Sequence, residues 1–397
     1  MAGAGPSVAI HDFMQDFSKS QDQVTQLLTF NFLLLGIGNL FWVPLALKFG
    51  KRASLLMAMA LQTGSLIWCA LAKSFDSLLA ARIVLGFAAA AGEVSYWVLG
   101  KHRSRSSRRS LLNERATMMS IYVILISGGT AIGPLIAGFM VQSTAQTWRS
   151  YFWLCVSLAP TNLAFLFFIY PESNFSRPDF EYHSRIEMEP VGHEEATEKS
   201  KSSFIEDVST DNLGFTMSTL LIPPPYNFSL IDIGLMEIAA VIGFVVACFG
   251  GGYMSDIITA YIVKRRIGEI RPEQRLLSLI PGMFIAPAGC ILLAFACQNK
   301  LSWVAIAFGF GMVSFGEVYT PNIALTYVVH RHQKIAAQRL VLINVFKNIL
   351  AFLFLYEAVP WVTSQGFTQI FMIMFMLNML TLVLAIPLYF DGHRDRE

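Results

Sequence analysis

Apolar residues in this chain gather in long runs separated by short charged or polar stretches. The runs fall at 26–47, 53–72, 78–100, 116–141, 150–171, 233–255, 276–297, 301–329, 340–361 and 367–390. A hydrocarbon core of about 30 Å is crossed by roughly 20 apolar residues in a helix, so each run predicts a transmembrane helix. The expected fold class is an all-α polytopic membrane protein with about ten full spans.

The longest interruption lies between the fifth and sixth runs. Residues 173–210 are polar and crowded with Glu187, Glu189, Glu194, Glu195 and Glu198, the composition of a disordered linker. The pattern therefore predicts two membrane halves, 1–172 and 211–397, joined by an acidic loop. Just past that loop stands TLLIPPPYNFSLIDIGL, Thr219 to Leu235, inside an uncharged stretch from Asn212 to Ile231. Three prolines should stop a regular helix near Ile222, and a helix over 212–222 rises only about 16 Å, half the hydrocarbon thickness.

Charge placement makes that stretch decisive. Lys48, Lys51 and Arg52 follow the first run, and five basic residues between Lys101 and Arg109 follow the third. The loops after the second and fourth runs carry Lys73 and Arg149 alone. The basic loops are cytoplasmic by the positive-inside rule, which puts the amino-terminal tail outside and the acidic loop inside. For the basic stretches Lys264–Arg275 and His330–Lys334 also to lie inside, the chain must make an odd number of crossings between Glu172 and Asp232. A short crossing broken at the prolines satisfies this if neighbouring helices shield its backbone; the alternative is a surface turn with an inverted second half.

Composition agrees: 54% of the 397 residues are apolar and 14% charged, with a mean hydropathy of +0.53, whereas soluble domains carry about 25% charged residues. A net charge of +2 leaves no basic footprint for nucleic acid. The five cysteines show neither CxxC nor Cys/His spacing, so neither a disulfide framework nor a metal site is expected. No cleavable signal precedes the first run.

Ionisable residues inside apolar runs are costly, about 2.5–3.5 kcal/mol at a helix centre, and should face protein or water. They are Arg82, Glu93, Glu237, Glu317, Lys347 and Glu357. Arg82 and Gly86 share a helical face; Arg82 reads as functional, as half of a buried structural pair, or as a snorkelling end residue. Glu93, three turns further on, is a coupling candidate or an end-of-helix carboxylate in the headgroup region. Glu317 sits in the glycine-rich GFGMVSFGEVYTPNIAL, where Pro321 suits a cavity-facing break with Asn322 as a hydrogen-bond partner. Lys347, beside Asn344 and Asn348, could hold an anionic substrate or pair with a carboxylate. Trp42, Trp97, Trp153, Trp303 and Trp361 are interfacial-belt candidates, and Asn227-Phe-Ser matches the glycosylation pattern.

Several motifs resemble the major facilitator superfamily, in particular its fungal drug:proton antiporter-like efflux group. GIGNLFWVPLALKFGKR (Gly36–Arg52) resembles that group's loop between helices 2 and 3. ARIVLGFAAAAGE (Ala81–Glu93) is similar to the helix 4 RxxxG pattern, and GGTAIGPLIAG (Gly128–Gly138) to the helix 5 antiporter motif. PPPYNFS, GGYMSDI, RRIGEIRPEQRL and INVFKNILAFLF resemble the second half. The resemblance implies two six-helix halves, with MAGAGPSVAIHDF and 212–222 standing as truncated helices 1 and 7 and Lys101–Ser110 as a basic insertion. It implies proton coupling at Arg82 and export from Gly129, Gly133, Pro134 and Gly138. It makes Gly50, Lys51 and Arg52 a conformational loop that latches on helix 11, with Gly252, Ser255, Asp256, Arg265 and Arg266 as its equivalent.

No phosphate-binding loop, metal cluster or nucleophile constellation is present, so neither an enzyme nor a cofactor is expected. The expected protein is a secondary transporter in the plasma membrane, acting as a monomer and exporting a small organic molecule such as a drug or secondary metabolite against protons by alternating access. Uptake of a nutrient or polyamine, or a transport-incompetent remnant with a regulatory role, are the alternatives.

Overall fold

The computed structural model describes residues 3–99, 115–143, 148–169, 221–222, 226–254, 278–331 and 336–394. Among these residues the elements are helices, with no strand. After a 3₁₀ turn at Gly5–Ser7 come α1 (Ile10–Phe17), α2 (Gln21–Phe49), α3 (Lys51–Leu71), α4 (Phe75–Leu99), α5 (Arg115–Ser143) and α6 (Trp148–Ile169). The second half holds α7 (Leu230–Cys248), continued by a π-helical turn at Phe249–Met254, then α8 (Ile280–Gln298), α9 (Trp303–Arg331) and α10 (Ala336–Arg394). Gly366, at φ +79°, breaks α10 into limbs 336–365 and 367–394, a backbone conformation that favours glycine.

Local sequence sets several boundaries. Ser20 with Gln23, and Ser229 with Asp232, form capping boxes that start α2 and α7, satisfying backbone donors that a helix start leaves open. Gly50, at φ +93°, is the single residue between α2 and α3. Asn227 takes a left-handed φ of +48°, which asparagine tolerates better than most residues.

Eight of these helices, α2 to α9, are long and apolar enough to span a bilayer. Their outward faces display Leu125, Phe168, Ile242, Phe284 and Phe308, an apolar exterior that water would not tolerate at this extent. Trp153 and Trp303 are exposed, as belt residues would be. Trp42 is instead buried, its indole donating to the Phe87 carbonyl at 2.7 Å, because a neighbouring helix supplies the acceptor that the headgroup region would otherwise provide.

Within the first half α2 packs on α4, and α3 lies against α4 and α6; in the second, α9 packs on α7 and α8, and α8 on α10. The halves meet along two seams, α2 with α10 and α5 with α7. Loop contacts define the ends of the bundle. At one end the Arg52 guanidinium donates to the Phe167 carbonyl at 2.8 Å, joining the Gly50 turn to the end of α6. At the other, Asp16 accepts from the Trp148 indole at 2.7 Å, Ile231 donates to Gln142 at 3.0 Å and Tyr226 donates to the Leu301 carbonyl at 2.7 Å. The chain thus leaves α6 at the Gly50 end and reappears at Leu221 and Tyr226 at the opposite end. That change of ends is what the charge pattern requires between Glu172 and Asp232. Residues 170–220, with the acidic stretch 173–210, and the prolines 223–225 lie outside the described residues.

Candidate functional site

One face of α4 runs along α2. Arg82, 1% exposed, donates from Nε to the Leu27 carbonyl at 3.1 Å and from Nη2 to the Gly3 carbonyl at 2.8 Å. The Asn31 amide donates to the Arg82 carbonyl at 2.8 Å. A Cβ at Gly86 would run into the Asn31 carbonyl, so a glycine here is what lets the helices approach this closely. Further along, Glu93 Oε2 accepts from Asn39 Nδ2 at 2.9 Å. Partners 82 with 27, 86 with 31 and 93 with 39 advance together, so α2 and α4 are parallel. Glu93 lies about 17 Å nearer the Gly50 end than Arg82, at 1.5 Å per residue.

Glu93 also reaches the other half. The same Oε2 accepts from Asn348 Nδ2 at 3.1 Å, and Lys347 Nζ lies 4.0 Å from Oε1. Around this node the seam is closely packed: a Cβ at Gly36 would meet Asn348 Cβ at 3.0 Å, Val43 clusters with Val341 and Val345, and the Phe30 and Phe352 rings are 5.8 Å apart. The helix continues past Glu93 to Leu99, while its apolar span runs from Phe75 to Glu93. Sequence reasoning singled out Glu93 and Lys347 separately and missed Asn39; its signal was an amide in the middle of an apolar run.

The second seam uses the small residues of α5. A Cβ at Gly138 would meet the Leu230 carbonyl at 2.5 Å and Gly234 Cα at 3.4 Å, and a Cβ at Gly234 would meet the Pro134 carbonyl at 3.3 Å. Gly133 is buried and Gly129 half-buried on the same helix.

Between the seams lies a small cavity of about 30 Å³, room for a water-sized molecule in this closed arrangement. Ser7, Leu28, Phe32, Thr130 and Pro134 line it from the first half. Glu237, Phe244 and Leu355 line it from the second. Among the described residues, Glu237, 7% exposed, brings the one ionisable side chain to this lining. It was flagged as one intramembrane charge among several, with nothing in the sequence to set it above Glu317.

Glu317 and Asn322 are buried on α9 but are not part of that lining. The expected cavity-facing break at Pro321 is absent, since α9 runs through it without interruption. Proline removes only its own donor, at the cost of the Glu317 carbonyl's helical partner, while packing on both sides keeps the helix whole. Tyr319 supplies much of that packing: it donates to the Ser278 carbonyl at 2.6 Å and its ring faces Gly250, Gly251 and Gly282.

The loop residues divide. Arg52 holds α6 of its own half, its guanidinium 5.4 Å from the Phe167 ring as well as on that carbonyl. Lys51 opens α3, and Gly252 lies in the π-helical turn. Ser255, Asp256, Arg265 and Arg266 lie outside the described residues. Asn227 is exposed at the end opposite Gly50, and Glu357 is exposed on α10. Among the described residues no cluster of His, Cys, Asp and Glu is placed to hold a metal ion, and all five cysteines are free.

The profile of the Major Facilitator Superfamily matches residues 1–355. The chain belongs to that superfamily. Its members are transporters rather than enzymes. The chain is 26% identical to the probable efflux pump mfs2 of Aspergillus flavus, over 87% of each protein. It is 22% identical to the probable drug/proton antiporter YHK8 of Saccharomyces cerevisiae over 96% of this chain and 78% of that one, and 19% identical to protein HOL1 of the same yeast over 92% and 79%. Among solved structures, the human organic anion transporter MFSD10 superposes with a TM-score of 0.68 at 15% identity, covering 96% of this chain and 89% of that one; at that identity the likeness speaks for the fold. This superfamily member is thus an integral, multi-pass membrane protein.

Proposed function

We propose that the protein exports a small organic molecule across the plasma membrane in exchange for protons. The observation that carries this reading is the cavity walled by both halves, with Glu237 in its apolar lining and a closed seam on either side. Alternating access needs such a site, exposed to one side and then the other as the halves rock. The α2/α10 seam closes the Gly50 end through Glu93, Asn348 and Lys347; the α5/α7 seam closes the opposite end through Gly138 and Gln142. Opening one while the other holds would move the site between compartments.

The direction is supported by the α5 motif containing Gly129, Gly133, Pro134 and Gly138, which resembles that of exporters, and by the printed names of mfs2 and YHK8. Both seams form within one chain, which supports a monomer as the working unit, with its halves divided at the acidic stretch 173–210. The test is transport by purified protein in liposomes carrying an imposed pH gradient. A fluorescent lipophilic dye should move against its own gradient only while the proton gradient persists, and a tagged chain should outline the cell surface. Dye movement that ignores the proton gradient would refute antiport.

A further inference from the structure

We propose that α7 carries a hinge at its π-helical turn, and that the α5/α7 seam opens by a swing of the limb Leu230–Cys248 within its own half as well as by movement between the halves. This rests on the transporter reading and deepens it. π-helical turns are rare, lie mostly at functional sites, and are among the few causes of sharp helix bends. Residues 249–254 read FGGGYM, so the change in helical hydrogen bonding coincides with three glycines and their backbone freedom. The turn lies toward the Gly50 end, because α7 starts at the opposite one.

The surroundings hold the base of the hinge and leave the limb above it able to tilt. Tyr319 on α9 donates to the Ser278 carbonyl at 2.6 Å and stacks on Phe315 with ring centroids 4.9 Å apart. A Cβ at Gly250 would meet that tyrosine ring at 3.2 Å, one at Gly251 at 3.3 Å, and one at Gly282 of α8 at 3.0 Å. The turn is thus seated against α8 and α9 through one well-fixed side chain. Further along, the limb meets α9 backbone to backbone: Gly243 lies against the Gly311 carbonyl, and a Cβ at Gly311 would meet the Ala239 carbonyl at 3.0 Å. Facing glycines offer no side-chain ridge to lock the crossing. The other side of the limb shows Leu235, Ile242, Val245 and Val246 outward, where a swing displaces lipid alone.

The limb of 19 residues is about 28 Å long. A bend of about 20° at its base, the size of kink such turns support, carries Leu230 roughly 10 Å, which parts Leu230 from Gly138 and Ile231 from Gln142. Glu237 and Phe244, which wall the cavity from the second half, ride on the limb. The water-sized cavity therefore widens in the same movement that opens the seam.

The experiment measures spin-label distances by pulsed electron paramagnetic resonance on the full chain in nanodiscs, at acidic and at alkaline pH, in a background without the native cysteines. Leu235→Cys with Phe295→Cys puts both labels in the second half, on the exposed faces of α7 and α8; Phe139→Cys with Phe295→Cys spans the halves. The hinge predicts a shift of about 5 Å or more in the first distance between the two conditions. Gly250→Ala with Gly251→Ala favours regular α-helix and should remove most of that shift. Gly282→Ala crowds the same Tyr319 ring from outside the turn and should leave it. Thermal unfolding identifies any variant that fails to fold, and the single Gly250→Ala change keeps the test open if the pair is unstable. If the distance between halves shifts and the Leu235–Phe295 distance does not, the hinge fails and movement between the halves stands. If neither distance shifts, the transporter reading fails with it. If Gly282→Ala removes the shift as fully as the two changes in the turn, the packing of Tyr319 governs the movement and the hinge assignment is overturned.

Discussion

Replacing Glu93 by alanine should unlock the Gly50 end of the bundle. Of the contacts Glu93 makes, the one to Asn39 lies within the first half and survives separation of the halves; those to Asn348 and Lys347 cross the seam. A hydrogen bond to a charged group contributes about 1.5–3 kcal/mol net of water. The Lys347 contact, at 4.0 Å with side chains 21% and 16% exposed, adds at most about 1 kcal/mol. The cross-seam share is therefore about 1.5–4 kcal/mol, which shifts the closed-to-open equilibrium roughly 10- to 900-fold at about 1.36 kcal/mol per decade. The readout is a cysteine at Val43, buried against Val341 and Val345, in a background without the five native cysteines. Its modification by an impermeant maleimide from the basic-loop side should accelerate by that factor, since the rate follows the open population when opening is rare and fast. Asn348→Leu should give part of the effect, the Glu93→Ala and Asn348→Leu pair should be non-additive, and Asn39→Leu should give much less. Equal rates at Val43→Cys with and without Glu93 would refute the idea that this carboxylate holds the halves together.

Other parts of the structure give direct expectations. Arg82→Ala deprives the Leu27 and Gly3 carbonyls of their donor and should destabilise the protein by about 3 kcal/mol or more, read as a lowered unfolding temperature in detergent; an unchanged temperature would contradict its role as a clamp. Gly86→Leu forces α4 away from Asn31 and should cost about 3 kcal/mol or more by overpacking, seen as loss of the monodisperse peak in size exclusion. Lys48→Cys and Lys300→Cys, both exposed and at opposite ends, should react with impermeant reagent from opposite sides of the membrane; labelling from one side would overturn the described topology.

How far the sequence foretold this arrangement depends on what each feature needs. The spans were legible because a solvent as uniform as lipid demands uninterrupted apolar runs, and α2 to α9 follow those runs closely. The gap between the runs ending at 361 and beginning at 367 holds Gly366, where α10 turns. Arg82, Gly86 and Glu93 could be set on one helical face from their spacing alone. Their division of labour could not: Arg82 is spent on carbonyls of its own half, whereas Glu93 meets Asn348, 255 positions away, and separations of that kind leave no trace in a single sequence. Glu237 and Glu317 make the sharper case. Each is a lone carboxylate in an apolar run, and what distinguishes them is the rotation of α7 and α9 about their own axes. That rotation is set by which small residues meet at the seams, Gly138 with Gly234 above all. It follows that Gly138 and Glu237 act together, one fixing the face of α7 that the other then presents to the cavity. A bulky residue at 138 should therefore impair transport driven by a proton gradient without lining the cavity itself, and a Gly138→Leu protein that folds and transports like the wild type would break that link.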